Sequence, residues 1–218
     1  SDSRYLCGKS KLSDYDSALL LVNSVTGETL IIPDSSLIIH DIVFDASTQT
    51  VYTLGFEQIG SNLFTVIKKR TGDNFSKETI LFQKQGDSVH ASLAFDEHTH
   101  RLFFTLGDNI IYFHTGSAIA QLEKSSQPVR KIIFHGDKIF SLNSDSSITV
   151  WSTVSGKTIL DFFLFEDAGW ILLTRDGKYH SQGGGENHLN VFEGSNIFDR
   201  SGDRRQIEDK YRLNFKSK

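Results

Sequence analysis

The sequence predicts an all-β chain, a β-propeller built from four-stranded antiparallel blades, and three observations carry that prediction. A hydroxyl–glycine turn follows an alternating apolar run four times, at Thr26-Gly27, Thr71-Gly72, Thr115-Gly116 and Ser155-Gly156. These glycines are 45, 44 and 40 residues apart, the period of a blade made of several short strands. Composition agrees: 17 Phe against 2 Pro favours half-buried pleated strands over helices. A third signal is an apolar run closing on Phe-Asp or Phe-His, which recurs at 39–45, 90–96 and 129–135.

Each repeat resolves into four strands. The three Phe-Asp or Phe-His runs are the expected inner strands. Polar turns lead from them into second strands at 50–55, 101–107 and 138–143. Third strands are expected from Ala18 to Val22, Leu63 to Ile67, Ile110 to Phe113 and Ile148 to Trp151. Fourth strands follow from Thr29 to Ile32, Glu78 to Phe82, Ala118 to Leu122 and Thr158 to Phe163, each after a glycine that accepts positive φ. The β-propeller region therefore spans 1–182, with blades near 1–37, 38–86, 87–126 and 127–166. The first blade supplies only three strands, beginning near Arg4.

A closing strand is expected within 168–182, starting at Trp170. A lone strand would expose its hydrogen-bonding edges, so two arrangements are open. It joins the three early strands and closes a four-bladed ring, or the ring is larger and has further blades. Residues 183–218 form a C-terminal closing segment with a short helix expected between Arg204 and Phe215. Asp203 would cap that helix, and Ile207 and Tyr211 would share its apolar face.

The totals narrow the function classes. A net charge of −4 argues against a surface that neutralises many phosphates, so no nucleic-acid partner is expected. The densest basic run, Lys68-Lys69-Arg70, reads as a solvated strand end. The single Cys7 has no intrachain partner for a disulfide or a metal pair. No apolar run approaches the ~20 residues that cross a bilayer, so no membrane insertion is expected. A cytoplasmic location is expected over a periplasmic one.

The stretch from Ser141 to Leu160 resembles the later half of a WD-repeat blade. It has a polar turn at Asp145, a strand ending on Trp151 and a turn at Gly156. Ser152 stands where that family has Asp, and no repeat carries the family's Gly-His pair, so the repeats are degenerate. The resemblance implies a propeller in which the family's internal Asp, His, Ser/Thr, Trp hydrogen-bond chain lacks partners. Apolar packing between blades would then carry the larger share of stability.

A second resemblance lies in Gly169 to Ser181, followed by Leu189-Asn190-Val191, Gly194, Asn196 and Asp209 to Phe215. These residues are similar to the closing segment of bacterial WD-repeat proteins, with Arg175 where Pro is usual. The family implies a scaffold for protein contacts, often attached to another domain.

Chemical motifs are sparse. His98 and His100 would share a face of an extended strand, near Asp96. Zinc normally takes three or four converging ligands, and the equivalent turn at Asp45 to Thr50 has no histidine. No metal is therefore expected. Gly183-Gly184-Gly185 lacks the Lys-Ser/Thr of a phosphate loop and reads as a flexible closing loop. No cofactor is expected. Neither is nucleophilic catalysis, because no Gly-x-Ser-x-Gly elbow occurs.

The reading is a non-catalytic scaffold that binds a protein partner through blade loops. The expected contact residues are Asp41, His90 and Arg130 near the starts of inner strands, with Phe56 and Phe75 as exposed aromatics. One alternative is a propeller hydrolase that gathers channel carboxylates and a His. Another is a regulatory domain of a larger bacterial multidomain protein, favoured by the unfinished first blade and the absence of Met.

Overall fold

The computed structural model describes residues 5–11, 17–34, 37–86, 90–116, 118–193, 196–198 and 212–215. The alternating runs fold as antiparallel meanders, so that one face of each strand can meet one neighbouring sheet and the other face the next. Blade 1 comprises β1 (Tyr5–Lys11), β2 (Ser17–Asn23) and β3 (Thr29–Asp34). Blade 2 comprises β4 (Leu37–Asp45), β5 (Thr50–Ile59), β6 (Asn62–Thr71) and β7 (Lys77–Gln85). Blade 3 holds β8 (Ala91–Asp96), β9 (Arg101–Leu106), β10 (Ile111–His114) and β11 (Ile119–Gln121). Blade 4 begins with β12 (Val129–His135), β13 (Lys138–Asn143), β14 (Ile148–Ser152) and β15 (Thr158–Leu164). The four repeat-marking glycines have φ of 73°, 79°, 89° and 70°, as the turns between third and fourth strands require.

Three hydrophobic cores form, each between two neighbouring blades. Leu19 and Leu21 of β2 pack with Leu37, Ile39, Val51 and Val66 of blade 2. Tyr52, Leu54 and Ile67 of blade 2 pack with Leu93, Leu102 and Phe104 of blade 3. Ala94, Phe103 and Ile111 of blade 3 pack with Val129, Ile132, Ile139 and Trp151 of blade 4. The two-residue period is visible within β9, where Leu102 and Phe104 join the core shared with blade 2 and the intervening Phe103 joins the core shared with blade 4. The Phe103 ring stacks on Phe134 with centroids 6.2 Å apart. Burying side chains of this size contributes about 1.5–3 kcal/mol each, so the inter-blade seams hold the arc together.

A polar chain runs through the blade 4 seam. The indole Nε1–H of the fully buried Trp151 donates to Ser141 Oγ at 2.9 Å, and that hydroxyl donates to Asn143 Oδ1 at 3.1 Å. The Asn143 amide donates to Ser147 Oγ at 2.9 Å and Thr149 Oγ1 at 2.8 Å. Ser147 in turn donates to Asp145, and Thr149 to Asp161. The expectation that this chain lacks partners is therefore corrected here. An amide does the bridging, because Asn both donates and accepts.

The last strands depart from expectation in two places. β16 (Trp170–Thr174) and β17 (Tyr179–Gln182) extend blade 4 to six strands, with Phe162 paired to Leu172 and Leu164 to Trp170. The Trp170 strand thus covers the edge of β15 and does not join blade 1. β18 (Leu189–Glu193), β19 (Asn196–Phe198) and β20 (Arg212–Phe215) form a separate sheet with β18 in the middle. The expected helix gives way to a strand over Arg212–Phe215, where Arg-Leu-Asn-Phe alternates with period two and pairs with Leu189 to Phe192. Residues 201–211, the rest of that prediction, lie outside the described residues.

The Gly183 to Gly185 turn is packed: a Cβ on Gly185 would collide with the Trp170 backbone. The basic run on β6 is also not a solvated strand end. Lys68 and Arg70 share one face of β6 and are 2% and 8% exposed. Lys68 Nζ lies 3.3 Å from Glu78, 3.5 Å from Glu57 and 3.7 Å from Asp34, and Arg70 pairs with Asp34 and Glu78. Asp34 belongs to blade 1, so this buried cluster fastens blade 1 to blade 2.

Candidate functional site

The inner strands β4, β8 and β12 carry the same motif, and aligning their Phe-Asp or Phe-His ends places Asp41, Ser92 and Lys131 at one register position. The structure brings these three together. Asp41 Oδ2 accepts from Ser92 Oγ at 3.0 Å, from the Leu93 backbone N–H at 2.9 Å and from Lys131 Nζ at 2.8 Å. Ser92 Oγ also accepts from the Ile132 backbone N–H at 3.3 Å. At the far ends of β4 and β8, His100 Nδ1 sits 3.3 Å from Asp45 Oδ2. The inner strands therefore run side by side in one direction.

Bulges shape the near end. The ladder slips between Ile39 and Asp41 in β4, and between Val129 and Lys131 in β12. The extra residues, His40 and Arg130, occupy equivalent positions and are both exposed. Bulges of this kind re-aim side chains at the ends of blades. Gly55 lies opposite the β4 bulge, where a Cβ would strike the Ile38 carbonyl. Its missing side chain lets the bulged strand come close.

Blade 2 is also taller than blade 3. β5 and β6 have ten residues each, β8 and β9 six. At ~3.3 Å per residue, the β5–β6 hairpin stands about 10 Å or more above its neighbour. On the face toward blade 3, Leu63 of the hairpin and Ile38 of β4 have no blade 3 strand to meet, and they are 39% and 49% exposed. Phe56 is half-buried, with its ring centroid 6.0 Å from that of His40.

Four of the five contact residues read from the sequence fall on this end. Asp41 is in the inner-strand ladder, Arg130 is on the β12 bulge, His90 is exposed just before β8, and Phe56 is on the tall hairpin. Phe75 is a correction. It is 5% exposed and sits in the core between blades 1 and 2, with its ring 6.2 Å from Phe44. Positive φ at Asn74 and Phe75 turns the chain back on itself after Gly72, at the opposite end of the blade. Sequence reasoning missed Ile38, His40, Leu63 and Lys131. The unusual length of the alternation from 50 to 59 was the available signal.

Asp45 and Asp96, at the ends of inner strands, have structural duties. Asp45 accepts from the Ser47 backbone N–H and hydroxyl and from Thr48, and Asp96 does the same with His98, Thr99 and the Thr99 hydroxyl. Burial acts to raise the Asp45 pKa, but these bonds and His100 outweigh it and hold it below the ordinary value. Among the described residues, no three His, Cys, Asp or Glu side chains form a metal-binding group. A cavity of about 550 Å³ lies between the outer parts of blades 3 and 4, lined by Glu123, Thr149, Asp161 and Arg175. Glu123 and Arg175 close one side of it by a two-pronged ion pair at 2.8 Å.

No protein-family model matches the chain, and no curated protein matches it. Solved structures do. TolB from Acinetobacter baumannii superposes with a TM-score of 0.55 at 12% identity, over 81% of this chain and 50% of that one. The WD40 β-propeller domain of Doa1 gives 0.42 at 14%, over 83% and 55%. Sqt1 of Saccharomyces cerevisiae gives 0.48 at 11%, over 80% and 57%. The chain spans about half the length of these solved chains. At such identities the likeness concerns the fold alone. With the blade geometry above, it shows a β-propeller type of fold.

Proposed function

We propose that this chain is a non-catalytic scaffold of WD-repeat propeller type that binds a protein partner through the blade end carrying His40, Asp41, Phe56, His90 and Arg130. One observation carries the reading: a tall apolar hairpin stands beside two exposed bulge residues on inner strands that are cross-linked by Asp41. Side chains anchored on strands lose little freedom on binding, so a preformed surface of this kind binds without a large ordering cost. The engaged state of Asp45 and Asp96 supports a binding role over a hydrolytic one.

The test is a combined variant, Ile38→Ser with Leu63→Ser and Arg130→Ala, used as bait beside the wild type for proteins that co-purify directly. The variant should keep its unfolding midpoint and lose the partner. If a partner shown to bind directly is retained in full, the surface assignment is wrong.

A further inference from the structure

The register across blade 2 sets the chemistry of this surface. Ile38 pairs with Phe56, Phe56 with Thr65, and Thr65 with Lys84, so the four side chains form one row on one face of the sheet. Leu63 pairs with Gln58, two residues beyond Phe56 and on the same face. The row is thus apolar at its centre, with a cation at its outer end. At its inner end stands the His40 ring, followed by Lys131 on Asp41 and by Arg130.

Among the described residues, the carboxylates at this end are engaged elsewhere and none pairs with Lys84 or Arg130. Asp41 is taken by Lys131, Glu57 by Lys68, and Asp145 by the hydroxyl and backbone N–H of Ser147. Asp108, at the same end of blade 3, accepts from the Tyr112 hydroxyl and the Ile110 backbone N–H. The side chains of Lys84 and Arg130 are exposed and make no hydrogen bond or ion pair among the described residues. A chain with a net charge of −4 therefore presents an apolar strip framed by Lys84 and Arg130.

Resting on the scaffold reading, we infer that this strip is a peptide-docking site, and that its occupant is an acidic segment of a partner protein with apolar anchor residues. The apolar anchors lie over Ile38, Phe56 and Leu63. The acidic groups meet Lys84 on one side and Arg130 on the other. Complementary charge of this kind sets the partner and the rate of encounter, while the apolar centre holds it. A peptide is favoured over an anionic membrane because the apolar residues form a row across a sheet face rather than a crown of loop tips.

A displayed library of random short peptides, selected on the wild-type protein, tests this. The selected sequences should be rich in Asp and Glu interspersed with Leu, Ile or Phe. Their binding should weaken at least about tenfold on Lys84→Glu with Arg130→Glu, and again on Ile38→Ser with Leu63→Ser. It should also fall between ~0.1 and ~0.5 M salt. Unfolding midpoints of both variants report that the fold is kept. Binders that ignore both variants refute this site but leave a protein-binding role standing. A selection that returns no binder refutes both. Equal binding of basic and acidic peptides, or tighter binding to phosphatidylserine vesicles than to any peptide, overturns the proposal.

Discussion

Asn143 is the residue through which the Trp151 chain is complete, since its amide joins the Ser141 branch to the hydroxyls of Ser147 and Thr149. Asn143→Ala should cost about 1–3 kcal/mol by removing its buried hydrogen bonds with Ser141, Ser147 and Thr149, measured as a shift in the urea midpoint. The two aspartates at blade edges should respond to pH in opposite ways. The folded pKa of Asp45 lies below its ordinary value of 3.8, so its hydrogen bonds stabilise the fold above that value and the contribution is lost as pH falls through the folded pKa. The stability difference between wild type and Asp45→Asn should be largest near neutral pH and shrink in acid. Burial raises the pKa of Asp161, with Thr149 opposing and Asp145 adding to the rise. Its ionisation therefore costs stability as pH climbs past the ordinary value, and Asp161→Asn should leave the neutral-pH midpoint unchanged or higher.

Blade 2 shows how strands distant in sequence decide what a short motif does. Lys68-Lys69-Arg70 has the composition of a solvated strand end. Its acids come from Asp34, Glu57 and Glu78 on three other strands, and no local pattern announces that convergence. Removing one partner of a buried charge cluster leaves the rest uncompensated, so Asp34→Asn should destabilise by about 3–5 kcal/mol, read by chemical unfolding. The strand and turn positions were legible because Gly27, Gly72, Gly116 and Gly156 mark them by backbone need. Phe75 was not, because two consecutive positive φ values carry an apparently exposed loop residue into a core. The pairing of β16 with β15 was equally hidden: Trp170 to Thr174 reads as a strand in any sheet, and only tertiary packing selects its neighbour.

Blades 1 to 4 form a row of sheets in which each described seam is a core, so stability should behave as a sum of blade and nearest-neighbour terms. Phe103→Ala, in the seam between blades 3 and 4, should cost about 3–5 kcal/mol. Hydrogen exchange should show that loss in both flanking blades before it reaches blade 1. Repeats made this architecture readable from sequence, and the same repeats located Asp41, His90, Arg130 and Phe56 at one end. The height of blade 2 over blade 3 was harder to see, because it arises from comparing strand lengths between neighbours. The central question for the molecule is which end of the blades meets a partner. Amide hydrogen exchange with and without a bound acidic peptide answers that most directly. Protection should appear at 37–41, 56–65, 84–85 and 129–131. Protection confined instead to the turns at 23–28, 72–76, 115–116 and 153–157 would contradict it.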